Sequence, residues 1–289
     1  MHGLGAFFAD PAVGTALLLG SIVASVSGAV GAFVVLRGQS FSGHALGDIG
    51  AAGASAAYLA GMEPLYGFLG VGLLSGLLMD RLGERASSRD LATGIVLSLM
   101  LGVGALFLYL LTERTNASGG TAAVLFGSIF TVDPSVTLPI ALFSLLSSLL
   151  LALLYRPLLL SSLQPDVARA RGVPVGAVGL LFMLAAAIAI EESALVAGAL
   201  LSMALLIGPA AAALRLARHV GAAVLLSAGL AVLALVLGIF LAYESYFWPP
   251  VQHGWPVSFF IAALVLLEYL LARLWPQRAA RRREEGAAA

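Results

Sequence analysis

Long apolar stretches follow one another along almost the whole chain, and short groups of charged residues separate them. A bilayer core about 30 Å thick needs roughly 20 apolar residues per helix. The charge-free apolar runs predict about nine membrane-spanning helices, at 13–35, 40–60, 64–80, 91–111, 136–155, 174–190, 194–214, 220–242 and 257–274. The first residues, MHGLGAFFADP, contain no basic region of the kind that begins a signal peptide, so the first run is predicted to be a retained helix. The pattern indicates an all-α, polytopic membrane protein.

Composition supports this interpretation. Of the 289 residues 61% are hydrophobic and 10% are charged, whereas soluble domains carry about 25% charged residues. The chain contains no cysteine, which excludes disulfides, thiolate catalysis and sulfur ligands from cysteine. A net charge of zero gives no sign of a nucleic-acid partner; the expected surroundings are the lipid bilayer.

The distribution of arginine predicts the orientation. All fifteen basic residues are arginine, and cytoplasmic loops are enriched in basic residues. With the C-terminus inside, only Arg114 falls outside, and the predicted outer loops carry mostly acidic side chains. We therefore expect an outside N-terminus, a cytoplasmic C-terminus and an acidic outer face.

Two segments between the predicted spans are longer than turns. In the outer segment 112–135, the stretch AAVLFGSIF has the pattern of a short surface helix. The inner segment 156–173 predicts a short amphipathic helix within about 161–173, with Pro165 and Asp166 at its start and Gly172 at its end. Such a helix suits docking of a cytoplasmic partner, and a plain surface connector is the alternative. We expect one membrane domain, 1–275, followed by a basic, disordered cytoplasmic tail, 276–289.

Few ionisable residues lie inside the predicted spans, where each is expensive to insert and suggests a function. His44 and Asp48 are four residues apart in the second span, so they share one helical face. An imidazole and a carboxylate at this spacing can bind a divalent metal ion together, form a structural hydrogen bond, or relay protons. Glu268 is expected to reach the inner surface or pair with Arg273, and Glu191 and Glu192 are expected at an outer helix junction.

Motifs of catalysis are absent from the sequence. It contains no G-x-S-x-G, no H-E-x-x-H and no phosphate-binding loop. We therefore expect a transport protein rather than an enzyme, and any ATP-driven role requires a separate ATPase subunit. An intramembrane hydrolase is disfavoured because no nucleophile lies beside the His–Asp pair.

Four segments, in this order and spacing, resemble those of one known family: FVVLRGQSFSGHALGDIGAAG (33–53), VLFGSIFTVDP (124–134), QPDVARARGV (164–173) and VAGALLSMALLIGPAAAALRLAR (196–218). Over nearly its whole length the chain resembles the integral-membrane permeases of bacterial ABC importers for zinc and manganese. In that family the first segment carries an Asp and, four residues later, a His that contact the metal. Here His44 and Asp48 occupy those two positions in swapped order.

The resemblance implies a homodimeric permease of the bacterial inner membrane that imports a divalent metal by alternating access. Two copies of His44 and Asp48 would bind the transported zinc or manganese, with iron(II) also open, and no cofactor would be bound permanently. An extracytoplasmic metal-binding protein would deliver the ion, and a cytoplasmic ABC ATPase would dock on Asp166, Ala168, Arg169, Arg171 and Gly172. A proton-coupled secondary transporter and an ABC permease for a larger chelate, such as a siderophore or cobalamin, are the alternatives.

Overall fold

A computed structural model describes residues 7, 11–82, 86–115, 129–130, 134–248 and 254–274 of the chain. The helices are α1 (Pro11–Leu36), α2 (Ser40–Leu59), α3 (Pro64–Leu82), α4 (Ala86–Thr115), α5 (Thr137–Leu163), α6 (Pro165–Ala170), α7 (Val175–Ala197), α8 (Ala199–Leu216), α9 (Val220–Ser245) and α10 (Val257–Leu274), with a short 3-10 helix at Pro134–Val136. No β-strand occurs in these ranges, and the predicted all-α fold is confirmed.

Every predicted span corresponds to one long helix, and all helices except α6 have 18 residues or more. Seven of the described helices are long and apolar enough to cross a membrane: α1, α3, α4, α5, α7, α9 and α10. The hydropathy of α2 is lower because glycines, serines, His44 and Asp48 interrupt its apolar residues. In α8 the segment Ser202–Leu216 is a shorter apolar helix. The total of nine spans and the orientation stay predictions.

The buried centre of the molecule lies along α1 and α7. In the most apolar part of the helix, 67% of the residues are buried in α1 and 78% in α7, whereas only 17% are buried in α4. On one side of this centre α1 packs against α8 and α9, and on the other side α2 packs against α3 and α4 and also contacts α7. The helix that carries His44 and Asp48 is therefore held between the buried centre and two peripheral helices.

Small residues bring α2 and α3 into backbone contact. A methyl group on Gly53 of α2 would overlap the carbonyl oxygen of Gly67 on α3, and a methyl group on Gly67 would overlap the carbonyl oxygen of Gly53. Small residues permit this close approach of membrane helices. The glycine-rich composition of α2 thus has a packing role at this point.

Two helix ends differ from the sequence prediction. The structure continues α5 to Leu163, so Ser161 and Ser162 form its last turn, and α6 begins only at Pro165. It also continues α7 to Ala197, so Glu191 and Glu192 lie within a helix. Most of the predicted surface helix AAVLFGSIF (122–130) and the whole tail 276–289 lie outside the described residues.

Candidate functional site

The tight turn between α1 and α2 sets the start of the helix that carries the His–Asp pair. Gly38 adopts φ +65°, a conformation that only glycine enters without strain. The N–H of Gly38 donates to the carbonyl of Val35 (3.1 Å), and the N–H of Gln39 donates to the carbonyl of Val34 (2.9 Å). This pair of hydrogen bonds commonly closes a helix at a C-terminal glycine. Because of this closure α2 begins at Ser40, immediately beyond the turn.

The structure brings His44 and Asp48 together on one face of α2, as their spacing predicted. His44 Nε2 lies 3.6 Å from Asp48 Oδ2, and the two side chains are 47% and 20% exposed. With Phe41 they form an open stripe, whereas the opposite side of α2 is buried. The pair therefore faces away from the core of its own chain.

The separation of 3.6 Å bears on two of the chemical alternatives for this pair, the hydrogen bond and the shared metal ion. It is too long for a direct hydrogen bond, which requires about 2.7–3.2 Å. A metal ion with bonds of about 2.1 Å to both atoms would subtend an angle of about 118°, which is near tetrahedral. The arrangement therefore fits two ligands of one ion better than a structural His–Asp hydrogen bond.

The described part of one chain does not by itself complete such a site. Across the described ranges, no group of three or more His, Cys, Asp or Glu side chains is close enough to hold a metal ion. Structural metal sites commonly use four protein ligands. His44 and Asp48 could supply two, so a metal ion bound to them would need further ligands from outside this part of the chain.

Two acidic side chains that the sequence prediction placed at an outer junction are buried within α7. Glu191 and Glu192 are both 0% exposed. The carboxyl group of Glu191 enters a slot between α2 and α3. A methyl group on Gly50 of α2 would lie 2.5 Å from Glu191 Cδ, and a methyl group on Gly72 of α3 would lie 2.5 Å from the same atom. Glycine at both positions is what leaves room for this carboxyl group.

Hydrogen bonding differs between the two glutamates. Ser144 on α5 donates to Glu192 Oε2 at 2.6 Å, so Glu192 ties α7 to α5. Neither carboxyl oxygen of Glu191 has a hydrogen-bond partner among the described residues. Glu191 packs against α2 at Gly50, and Gly50 is two residues after Asp48 in that helix. A buried acid of this kind is a functional candidate by default in a membrane protein, and the sequence prediction missed it.

Glu268, the other acid expected in a span, lies in α10. Its Oε2 is buried and has no hydrogen-bond partner within the described part of the chain, and the expected ion pair with Arg273 is not formed there. Arg273 is in the last turn of the same helix.

The predicted docking helix exists as α6, which is shorter than the expected 161–173. Asp166 is in its first turn and Arg169 in its last, and Arg169 Nη1 lies 2.9 Å from Asp166 Oδ1. Gly172 ends the helix with φ +78°, and its N–H donates to the carbonyl of Arg169. Four of the five predicted docking residues are exposed: Asp166, Arg169, Arg171 and Gly172.

Ala168 is the exception, because it is 0% exposed. It faces the protein and holds α6 against it, so in this arrangement its side chain is not available to a partner. Its carbonyl also accepts the N–H of Val173 (3.0 Å). The exposed face of α6 is therefore formed by its charged residues together with the apolar Val167.

Comparison with known proteins agrees with this architecture. The ABC 3 transport family matches residues 9–269. The manganese import system permease protein ScaB of Streptococcus parasanguinis is 32% identical over 233 residues, which are 79% of this chain and 81% of that protein. The manganese transport system membrane protein MntC of Halalkalibacterium halodurans is 30% identical over 229 residues, 78% of this chain and 76% of that protein.

Solved structures share the fold. A chain of PsaBC from Streptococcus pneumoniae in complex with Fab has a TM-score of 0.77 at 24% identity, covering 98% of this chain and 100% of that chain. An inward-facing putative metal-chelate type ABC transporter has a TM-score of 0.64 at 18% identity, covering 91% and 88%.

The apolar helices and the related membrane permeases make this chain a multi-pass protein of the cell membrane. The resemblance to the permeases of metal ABC importers, which rested on four sequence segments, is confirmed by a match over most of the chain. The chain belongs to the ABC 3 transport family.

Proposed function

We propose that the chain is the membrane permease subunit of an ATP-driven importer of a divalent transition metal ion. The observation that carries this proposal is the His44–Asp48 pair, held 3.6 Å apart on an open face of α2. Manganese is the first candidate substrate because relatives that are 32% and 30% identical are named manganese permeases. Zinc is the second, since imidazole and carboxylate are ligands for both ions.

The transport site is completed by a second copy of the chain. Two copies of His44 and Asp48 around a dimer axis supply four ligands, two nitrogen and two oxygen. The exposed stripe of α2 faces away from its own core, as a surface at such an axis must. Four ligands that belong to two movable subunits hold an ion transiently, which suits a path better than a permanent site.

Energy comes from a separate ABC ATPase that docks on the exposed residues of α6, since the chain has no phosphate-binding loop of its own. Asp166, Arg169 and Arg171 form the contact, and Ala168 keeps α6 attached to the permease. ATP binding then moves the two bundles of the dimer between outward and inward access around the shared site. An extracytoplasmic metal-binding protein delivers the ion to the acidic outer face.

Metal uptake by proteoliposomes tests this function. The chain is reconstituted with its co-purified ATPase and metal-binding protein, and uptake of Mn²⁺ and Zn²⁺ is measured by mass spectrometry with and without ATP. We expect ATP-dependent uptake that falls at least about tenfold in His44→Ala and Asp48→Asn, since even the loss of an outer-shell partner of a metal ligand typically costs about 10–100-fold. His219→Ala, at an exposed histidine outside the pair, is the matched control and should transport normally.

The same assay separates the alternatives. Uptake driven by a proton gradient without ATP would identify a secondary transporter with His44 and Asp48 as its relay. Uptake of a metal chelate that free Mn²⁺ and Zn²⁺ do not reduce would identify a chelate importer. Normal uptake by both pair variants would reject the proposed site and leave the permease assignment in place.

A further inference from the structure

One arginine joins the helix that carries the metal pair to the segment that carries the docking helix. Arg37 lies at the end of α1. Its Nε donates to Gln39 Oε1 (3.2 Å), and its Nη1 donates to Ser161 Oγ (3.4 Å) and Ser162 Oγ (3.3 Å). A single guanidinium group thus spans two segments that are 124 positions apart in sequence.

Each partner of Arg37 is directly connected to one of the two functional elements. Gln39 is buried and is the residue before α2, so it lies little more than one turn from His44. Ser161 and Ser162 are in the last turn of α5, and only Gln164 separates that helix from α6. The Arg37 side chain therefore links the α5–α6 junction to Gln39 at the start of α2.

The serine hydroxyls are oriented to accept from the arginine. Ser161 Oγ donates to the carbonyl of Leu158 (3.1 Å), and Ser162 Oγ donates to the same carbonyl (2.5 Å). Because each hydroxyl has one proton and two lone pairs, both oxygens are left as acceptors toward Arg37. Arg37 therefore contacts two hydroxyl groups that are themselves fixed by hydrogen bonds to the carbonyl of Leu158.

The guanidinium plane is also held from the side by α7. Arg37 Cζ lies 5.5 Å from the centre of the Phe182 ring, a distance typical of cation–π contacts. A methyl group on Gly179, one turn before Phe182, would lie 3.5 Å from Arg37 Nη2. Contacts with α5, with α7 and with Gln39 therefore surround the arginine. Lysine has neither the planar fork nor the reach to replace it.

We infer that Arg37 is a positioning residue that couples the docking helix α6 to the metal-bearing helix α2. This inference rests on the proposed function, because it takes α6 as the ATPase contact and His44 and Asp48 as the transport site. In this role Arg37 acts through Gln39 and the two serines, without itself binding the metal ion or the ATPase. It transmits the ATPase-driven displacement of the α5–α6 junction to the start of α2, and in the reverse direction it transmits occupation of the site to the ATPase.

The test measures coupling rather than folding. The chain is reconstituted with its co-purified ATPase and metal-binding protein, and Mn²⁺ uptake and ATP hydrolysis are measured together for wild type, Arg37→Gln and Arg37→Lys. We expect both variants to retain the ATPase on purification and to keep basal hydrolysis. Mn²⁺ imported per ATP hydrolysed should fall about tenfold, a usual size for coupling between two sites, and stimulation of hydrolysis by Mn²⁺ should disappear.

Removal of the acceptors provides a second variant that leaves Arg37 in place. Ser161→Ala combined with Ser162→Ala should lower the ratio of Mn²⁺ to ATP to the same extent, and adding Arg37→Gln should lower it no further. Arg156→Gln is the matched control, since Arg156 is an exposed arginine on the same helix α5, and its ratio should equal that of the wild type.

Each remaining outcome contradicts the inference in a distinct way. A wild-type ratio in Arg37→Gln means that α2 and α6 communicate without Arg37. Loss of the ATPase from Arg37→Gln on purification means that Arg37 maintains the docking surface instead of transmitting its movement. If the wild-type chain itself shows no ATP-dependent uptake of Mn²⁺ or Zn²⁺, the proposed function fails, and that result is independent of every Arg37 variant.

Discussion

The slot that holds Glu191 makes one glycine of α3 intolerant of even a methyl group. An alanine at Gly72 would place its Cβ 2.5 Å from Glu191 Cδ and 2.6 Å from Glu191 Cγ, whereas carbon atoms in contact normally lie about 3.5–4.0 Å apart. The carboxyl group must therefore move by about 1 Å. Movement toward α2 is blocked, because Gly50 approaches the same group from the other side.

The expected cost follows from this confinement. Overpacking a well-filled site costs about 1–3 kcal/mol, so Gly72→Ala should be destabilised by about that amount. Gly70→Ala is the matched control on the same helix, because no atom lies within 4 Å of its new methyl group. It should be neutral or gain up to about 1 kcal/mol from helix propensity. The two alanine variants should therefore differ by about 1–4 kcal/mol.

Substitutions of Glu191 separate the effect of its side-chain volume from the effect of its charge. In Gly72→Ala with Glu191→Ala, the new methyl group occupies space that the carboxyl group has left, so the double variant should regain about 1–3 kcal/mol relative to the sum of the single variants. Glu191→Gln keeps the same volume and should restore nothing. Thermal denaturation of the purified proteins in detergent, followed by fluorescence-detected size exclusion, measures these differences. Equal stability of the Gly70 and Gly72 variants, or rescue by Glu191→Gln, would refute the steric argument.

Three further substitutions test other parts of the bundle. Gly31→Ala places a methyl group against a backbone carbonyl of α8, so it should lower the denaturation temperature, whereas Gly14→Ala on the same helix meets no atom within 4 Å and should not. Ser144→Ala removes the donor to Glu192 and should cost about 1–2 kcal/mol, measured by the same denaturation; a loss as large in Ser144→Ala with Glu192→Leu would contradict this explanation. In Gly172→Ala the alanine must adopt φ +78°, which costs about 1–2 kcal/mol. This variant should therefore reduce the amount of ATPase that co-purifies. An unchanged amount of co-purified ATPase would show that the end of α6 does not bear on docking.

Hydropathy was sufficient to predict the helical class and the place of every long helix, because the apolar runs are long and their separators are charged. The structure differs where charge was taken as evidence for a loop. Glu191 and Glu192 follow an apolar run, yet no glycine, proline, asparagine or aspartate occurs between Gly179 and Gly198. Gly198, with φ +98°, is where the chain leaves α7. Turn-forming residues were the better guide to this helix end.

The His44–Asp48 pair was predictable because its geometry is local. Spacing of four residues on a helix brings two side chains to one face whatever else the fold does. The slot around Glu191 was not predictable, because Gly50, Gly72 and Glu191 belong to three helices that are far apart in sequence. A glycine in an apolar run gives no sign of whether its space is filled by lipid, by backbone or by an acid.

Three properties of α2 meet in one helix and explain its unusual composition. His44 and Asp48 lie on its open side, Gly53 allows backbone contact with α3, and Gly50 accommodates the buried carboxyl group of Glu191. Larger residues at the two glycines would displace α2 and, with it, the His44–Asp48 pair on its opposite side. The low hydropathy of α2 is therefore the consequence of packing on one side and chemistry on the other. Since Arg37 contacts Gln39, the residue before the first turn of α2, the position of this helix depends on contacts at both its start and its middle.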